Sequence, residues 1–512
     1  MKAGRFNLSR LAFFLSAASV FVALLLLLSG CSRRHKQGEA ILEELNLPGD
    51  LSDYLLVDFD GDAKDELLAF CAADESSHKA RSGCLFRQVN GKFGPEPVAI
   101  FDIPEKAILF DTGDVDGDGA PEITYLTTDG MSYFDVTDGN ILPGQQLIAE
   151  ISVFNLGTAE SAIHWDFFRE MQRGDRALCV IPTLDGLSLY TVRNGSISYT
   201  GNVPIGFRAS TMAPRMSEFR NMSPLSYCID VPSLEFGDYN GDGIDDMFVM
   251  YGKDVSIYAG SLQGDYGAEP IARPSEQLWA DIDDSDSENN LQVKDINRDG
   301  LADLVLSNNR GSISKLVSNV SIHLCKPRGG YDQVPSFSHD ISNSAGMAYI
   351  HDINNDGRDD MIIPSLKIGI TALMKILILK RLDIGLNVFL QNASGGYDSE
   401  PSLTTNIAAS TDLNSGNISL GSNIAVTGDF NGDNLCDFLI ETGQGRLDIY
   451  YGTVGTVLSD KVGWSYRIPR PSAILATDCD DDGISEIFAF YGQARTDRDK
   501  IRVIRVGQQP GS

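Results

Sequence analysis

Asp295-Ile296-Asn297-Arg298-Asp299-Gly300-Leu301-Ala302-Asp303-Leu304 is the stretch on which the reading of this chain turns. Positions one, three and five carry carboxylate or amide oxygens on alternate residues. Glycine at position six permits the left-handed backbone that closes a tight loop, and position nine is an acid entering an apolar run. Oxygens spaced in this way converge on one hard cation. Calcium takes about six to eight of them at about 2.3–2.6 Å, so the position-seven carbonyl and the position-nine carboxylate would help complete its shell. Magnesium fits less well, because it demands tighter octahedral geometry. The acid at nine rather than twelve excludes an EF-hand. One such loop would be no more than an Asx-turn between strands.

Recurrence decides the matter. The motif begins at Asp58, Asp114, Asp238, Asp295, Asp352, Asp429 and Asp478, in steps of 56, 124, 57, 57, 77 and 49 residues. The candidate cation ligands are therefore Asp58, Asp60, Asp62 and Glu66; Asp114, Asp116, Asp118 and Glu122; Asp238, Asn240, Asp242 and Asp246; Asp295, Asn297, Asp299 and Asp303; Asp352, Asn354, Asp356 and Asp360; Asp429, Asn431, Asp433 and Asp437; and Asp478, Asp480, Asp482 and Glu486. Ala63 and Asn434 replace the glycine in two copies, and alanine makes the first loop the weakest candidate. The long step holds two units. Asp129-Gly130-Met131-Ser132-Tyr133 returns 56 residues later as Asp185-Gly186-Leu187-Ser188-Leu189, so a degenerate motif begins near Glu170. Its positions one, three, five and nine are Glu170, Gln172, Gly174 and Leu178, which cannot cage a cation.

Turns with one aromatic recur as well, around Phe93, Tyr266, Tyr331 and Tyr397, and short β-branched runs flank every motif. Repeating units of this length with several short strands mark propeller blades, because one blade cannot bury both of its faces. The expected fold class is all-β: a β-propeller over residues 51–508, eight blades in preference to seven, with calcium-binding loops between blade strands. A strand from residues 40–57 would close the ring. Residues 366–386 interrupt the pattern and are expected to carry a short helix and then a strand, packed on their own blade.

The Asp-x-Asn-x-Asp-Gly-x-x-Asp-Leu loop at this spacing resembles the FG-GAP and VCBS repeats of integrin-α-like propellers, over roughly residues 50 to 508. The resemblance implies several structural calcium ions that stiffen the blades. Family members include integrin heads, lectins, bacterial surface proteins and some polysaccharide lyases, so fold does not fix function.

Ahead of the repeats, Lys2, Arg5 and Arg10 precede an apolar run from Leu11 to Leu28 that ends in Leu28-Ser29-Gly30-Cys31. This reads as a signal peptide, 1–30, with a lipobox whose Cys31 becomes the lipidated first residue of a lipoprotein, followed by a tether, 31–50. A signal-anchor helix is the alternative, and both export the rest. Ser32 after the cysteine favours the outer membrane or cell surface over the inner membrane. Of the remaining cysteines, Cys71 and Cys84 bracket a polar stretch and are a candidate hairpin-tip disulfide.

A net charge of −30 argues against nucleic acid as a partner. The exported part has no Gly-x-Ser-x-Gly, His-Glu-x-x-His or phosphate-binding loop, and its histidines fall in no catalytic spacing. The reading therefore leans against an enzyme. It favours a membrane-tethered binding, adhesion or envelope-scaffold module for a protein or glycan, with a calcium-bearing polysaccharide lyase as the alternative. Trp165, Trp279 and Trp464 are expected in the core rather than stacked on sugars.

Overall fold

Strands enriched in Leu, Ile, Val and Phe, each bounded by glycine-rich turns, pair mostly in chain order into largely antiparallel blade sheets of three to five strands. The computed structural model describes residues 38–507 except 73–80, 138, 154–162, 172–175, 194, 213–225, 252–253, 280–286, 311–316, 343, 346, 368–380, 411–423, 444, 455–456, 460 and 495. One body begins at Glu39, and it is an eight-bladed β-propeller.

Blade one is Leu51–Val57, Glu66–Cys71, Ser82–Phe86 and Ala99–Asp102. Blade two is Leu109–Gly113, Glu122–Thr127, Gly130–Thr137 and Asn140–Ala149, and blade three is Phe168–Glu170, Ala177–Thr183, Gly186–Arg193 and Ser196–Val203. Blade four has three strands, Ser233–Gly237, Asp246–Tyr251 and Asp254–Tyr258, and is preceded by the hairpin Arg208–Met212 and Ser226–Asp230. Blade five is Ser287–Lys294, Asp303–Arg310, Val317–His323 and Phe337–Ser342. Blade six runs from Tyr349–His351 through Asp360–Lys367 and Arg381–Phe389 to Leu403–Ser410. Blade seven is Ile424–Gly428, Asp437–Gly443, Arg446–Tyr450 and Trp464–Arg467. Blade eight is Ala473–Thr477, Glu486–Phe490 and Lys500–Val506, completed by Ala40–Asn46 from the other end of the chain.

That last pairing closes the ring. Ala40–Asn46 lies antiparallel to Lys500–Val506, from Ala40 opposite Val506 to Asn46 opposite Lys500. Arg505 pairs with Glu43 and Arg502 with Glu44 across the seam, and Trp464 donates its indole N–H to the Glu39 carbonyl at 3.0 Å. The last blade thus takes its outer strand from the other end of the chain, which ties the two ends of the ring together. The tether expected over 31–50 therefore ends before Ala40, because apolar Leu45 is better buried in the last blade than left exposed.

The second strand of a blade packs against neighbours on both faces, so it reads as a continuous apolar run rather than an alternating one. Every residue of Glu66–Cys71, Ala177–Thr183 and Glu486–Phe490 is buried. Apolar clusters fill all eight seams. Leu68 and Phe70 meet Phe110 and Ile123 between blades one and two, while Ala69, between them in the strand, faces the last blade. Leu306 and Leu304 meet Phe248 and Ile257 between blades four and five, and Leu67 and Phe86 meet Phe488 and Phe490 where the ring closes. Burying each of these large side chains is worth about 1.5–3 kcal/mol, so the seams hold the blades together.

Three further expectations meet the structure here. Leu366 and Lys367 end one strand, and Arg381 to Leu386 begin the next, so the expected interruption is strand at both of its ends; the helix would fall on 368–380, outside the described residues. Cys71 and Cys84 are free thiols. Cys71 stands opposite Ser82 and Cys84 opposite Ala69, so the two thiols are diagonal neighbours within hydrogen-bonding reach of each other. Trp279 and Trp464 are buried as expected, and Trp165 is half-buried.

Candidate functional site: the acidic loop belt

All seven motifs occupy the same place, the turn between the first and second strands of a blade. The ninth residue opens the second strand every time, at Glu66, Glu122, Asp246, Asp303, Asp360, Asp437 and Glu486. In blade three, Leu178 lies opposite Arg169, just as Asp303 lies opposite Lys294 in blade five. The degenerate copy is thus in register, and a buried leucine stands where the other blades have a buried acid.

Each loop is closed by its own oxygens. In blade four, Asp238 accepts the N–H of Gly241 at 2.6 Å and of Gly243 at 2.7 Å, while Asp242 accepts that of Ile244 at 2.9 Å. In blade seven the equivalents are Asp429 with Gly432 at 2.7 Å and Asn434 at 2.7 Å, and Asp433 with Leu435 at 2.9 Å. Position six is left-handed throughout, including Ala63 at φ 63° and Asn434 at φ 62°. Position four is left-handed too, even at Arg298, Asn355 and Asp481. Two left-handed residues flanking position five curl the chain so that the amide groups point inward at the first aspartate.

The ninth carboxylate latches the loop to the blade. One oxygen accepts the N–H of position two in all seven copies: Phe59, Val115, Tyr239, Ile296, Ile353, Phe430 and Cys479. Where the ninth residue is aspartate, its other oxygen accepts an N–H beyond the third strand, from Gly260, Cys325, Gln391 or Gly452. The recurring aromatic locks the same corner: Tyr331 donates its hydroxyl to the carbonyl of Ala302 at 2.8 Å, and Tyr397 to that of Asp359 at 2.6 Å. Burial pushes the ninth carboxyls up, to about 7 at Glu66, Glu122, Asp437 and Glu486 and to about 6 at Asp246, Asp303 and Asp360, with further loop carboxylates adding to the effect.

Successive loops are also bonded to one another. The N–H at position eight donates to the preceding loop from Ala302 to Asp238 at 2.7 Å, from Cys436 to Ile353 at 3.1 Å, from Ser485 to Asp429 at 2.6 Å and from Asp65 to Cys479 at 2.9 Å. In blade two the eighth residue is Pro121, which has no N–H to give. The loops form a belt around one rim, tied by backbone bonds at these four junctions and lacking an acidic motif at blade three.

The donor set fits a divalent cation in part of this belt. The carboxylates of Asp58, Asp60 and Asp62, of Asp114, Asp116 and Glu122, and of Asp478, Asp480 and Glu486 each lie within 4.8 Å of one another. Oxygens about 2.4 Å from a shared ion are separated by no more than about that distance. In two of these loops an arginine already sits on the acids. Arg87 lies 3.0 Å from Asp60 and 3.4 Å from Glu66, and Arg505 lies 3.0 Å from Asp480 and 2.6 Å from Glu486. The blade-two loop, with three carboxylates together, is the best fit, which the sequence alone does not distinguish.

One cluster escapes the sequence reading. Ile163–His164 pairs in parallel with Leu109–Gly113 on the first-strand edge of blade two. His164 Nε2 lies 3.1 Å from exposed Asp166 and 3.7 Å from buried Asp111, and the His164 backbone N–H donates to Asp53 of blade one at 2.8 Å. Asp111 also accepts the N–H groups of Phe167 and Phe168, both at 2.8 Å. These residues meet only through folding, so no local spacing announces them. The Asp111 and Asp166 carboxylates push the imidazole up to about 10. Because the folded value exceeds the ordinary 6.5, this stabilisation is complete below pH 6.5 and is lost as pH rises towards 10. His164→Gln should flatten that alkaline loss, by about 1–2 kcal/mol since about a third of the side chain is exposed and solvent screens the pair. Urea unfolding of both proteins at the two ends of that window checks it.

The fold and its rim define the class: an eight-bladed propeller with an acidic loop belt. No protein-family model matches the chain, and no curated protein does. Among solved structures it is similar to an Agrocybe aegerita lectin described as recognising non-reducing terminal N-acetylglucosamine, at 14% identity over 91% of this chain and 95% of that one, with a TM-score of 0.37. It is also similar to the WD40 domain of Toxoplasma gondii coronin, at 10% identity over 93% of this chain and 90% of that one, with a TM-score of 0.36.

Proposed function

We propose that this chain is a non-catalytic binding or scaffold propeller, exported, held to the envelope through a lipid on Cys31, with calcium in those acidic loops that keep a free donor set. The observation that carries the reading is how the recurrent acids are used. Ninth-position carboxylates are buried and spent on backbone N–H groups, and first-position carboxylates close their own turns, so the belt stiffens a ring and leaves its faces to bind. Raised, crowded carboxyls are also what a bound cation would relieve. The N-terminal lipobox lies outside the described residues and rests on its sequence alone.

A glycan array and an envelope-protein pull-down, run with protein lacking residues 1–31, test this. The expected result is saturable binding with the glycan recovered intact. Release of unsaturated uronides would sink the binding reading in favour of a lyase. Cys31→Ser tests the anchor: it should move the protein from the membrane to the soluble fraction.

A further inference from the structure

Away from the acidic loops, one cluster mixes nitrogen with oxygen. A ring nitrogen of His164 and a carboxylate oxygen from each of Asp111 and Asp166 lie within 4.8 Å of one another. Nε2 of His164 is 3.1 Å from Asp166 and 3.7 Å from Asp111. A single proton on Nε2 makes one good hydrogen bond, to Asp166, and the distance to Asp111 is too long for a second. A tetrahedral ion would use all three atoms. Zinc bonds of about 2.0–2.2 Å to nitrogen and oxygen set the ligand atoms about 3.4 Å apart, and the two observed separations bracket that length.

The groups are held from behind, as metal ligands are. Buried Asp111 accepts the Thr112 N–H on Oδ1 and those of Phe167 and Phe168 on Oδ2, all at 2.8 Å. The parallel strand Ile163–His164 carries the imidazole to the edge of blade two, and the His164 backbone N–H is fixed by Asp53. Outer contacts of this kind orient ligands and tune the ion they hold. The Asp166 side chain, 88% exposed, reaches solvent. Charge points the same way. Three aspartates, Asp53, Asp111 and Asp166, meet one imidazole, so even a protonated ring leaves two carboxylates uncompensated. Arg169 acts on Asp166 only from a distance, because its guanidinium lies 3.8 Å from Asp245 and over the Phe236 ring.

We infer that Asp111, His164 and Asp166 bind one divalent transition ion of the zinc type, with water in its fourth position, and that the ion ties blade two to the segment entering blade three. Nitrogen in the donor set separates this site from the all-oxygen loops of the belt, which suit calcium. The inference rests on neither the lipid anchor nor a glycan. Zinc titration of the full chain against a chromophoric chelator, in excess calcium so that the belt is saturated, tests it. One equivalent of zinc should bind, and cobalt(II) in its place should show the visible absorption of a four-coordinate ion. Asp166→Ala, which removes an exposed ligand and leaves buried Asp111 in place, should weaken zinc at least about tenfold and abolish the cobalt band. His164→Gln should do the same. Asp116→Ala, in the acidic loop of the same blade, should change neither. No zinc bound in excess calcium, or equal zinc affinity of Asp166→Ala and the unmodified protein, would overturn the assignment.

Discussion

Excess chelator is expected to lower the melting temperature by about 10–20 °C relative to the calcium-saturated protein, if the loops hold calcium as proposed. A ligand that binds only the folded state at a hundredfold excess over its Kd contributes about 2.7 kcal/mol per site. The unfolding entropy of a body this size, at about 2.1 cal/mol/K per residue, amounts to about 1 kcal/mol/K, so each filled loop is worth about 2–3 °C. The effect should be additive where each loop binds its own ion independently and the ring unfolds as a unit. Loops differ, however. Asp116→Ala in blade two should remove one loop's share of the calcium response. Asp60→Ala in blade one should remove little, since Arg87 already compensates that carboxylate. Differential scanning fluorimetry with calcium, magnesium and chelator checks each arm, and an unchanged melting temperature would discard the calcium reading.

Much of this architecture is legible in the sequence because the repeat states it. Seven acids nine residues into seven motifs open seven strands, and the 124-residue step does hold a blade in which Leu178 replaces the acid. Closure by a strand from the N-terminal side is equally legible, since the stretch after the last motif supplies too few strands to complete its blade. What stays hidden is tertiary. The left-handed fourth position shows only as a glycine in four of the seven copies, and its other occupants, Arg298, Asn355 and Asp481, give no hint that the turn forces them there. The arginines on the first and last loops come from the third strand of blade eight and the residue after the third strand of blade one, so their charge compensation is invisible until the blade folds. The His164 cluster joins three blades' worth of chain. The sequence also suggests a single role, cation ligand, for the ninth acid, whereas the fold shows it holding backbone on both sides.

That second role sets the largest effect expected from one substitution. Asp303 is fully buried, its Oδ2 accepts the Ile296 N–H at 2.9 Å, and its Oδ1 accepts the Cys325 N–H at 2.7 Å. Asp303→Ala strands both donors inside the blade, where water cannot replace the carboxylate. Each buried donor left unmade costs about 1–3 kcal/mol, so the variant should lose about 3–5 kcal/mol, measurable as a lower urea midpoint with calcium absent. The chelated state is the informative one, because a loss there cannot be assigned to a missing ion. Asp303→Asn should fall between: its carbonyl oxygen can still accept one N–H, while its amide nitrogen faces the other as donor against donor. The natural leucine at position 178 is tolerated because its motif has also lost the acids at positions three and five, replaced by Gln172 and Gly174, so no acidic loop is left for a ninth acid to latch. Placing leucine at 303 while keeping the loop of Asp295 to Ala302 should therefore be as costly as alanine, even though the leucine fills the space. Equal stability of Asp303→Leu and the unmodified protein without calcium would show that the ninth acid serves the ion alone.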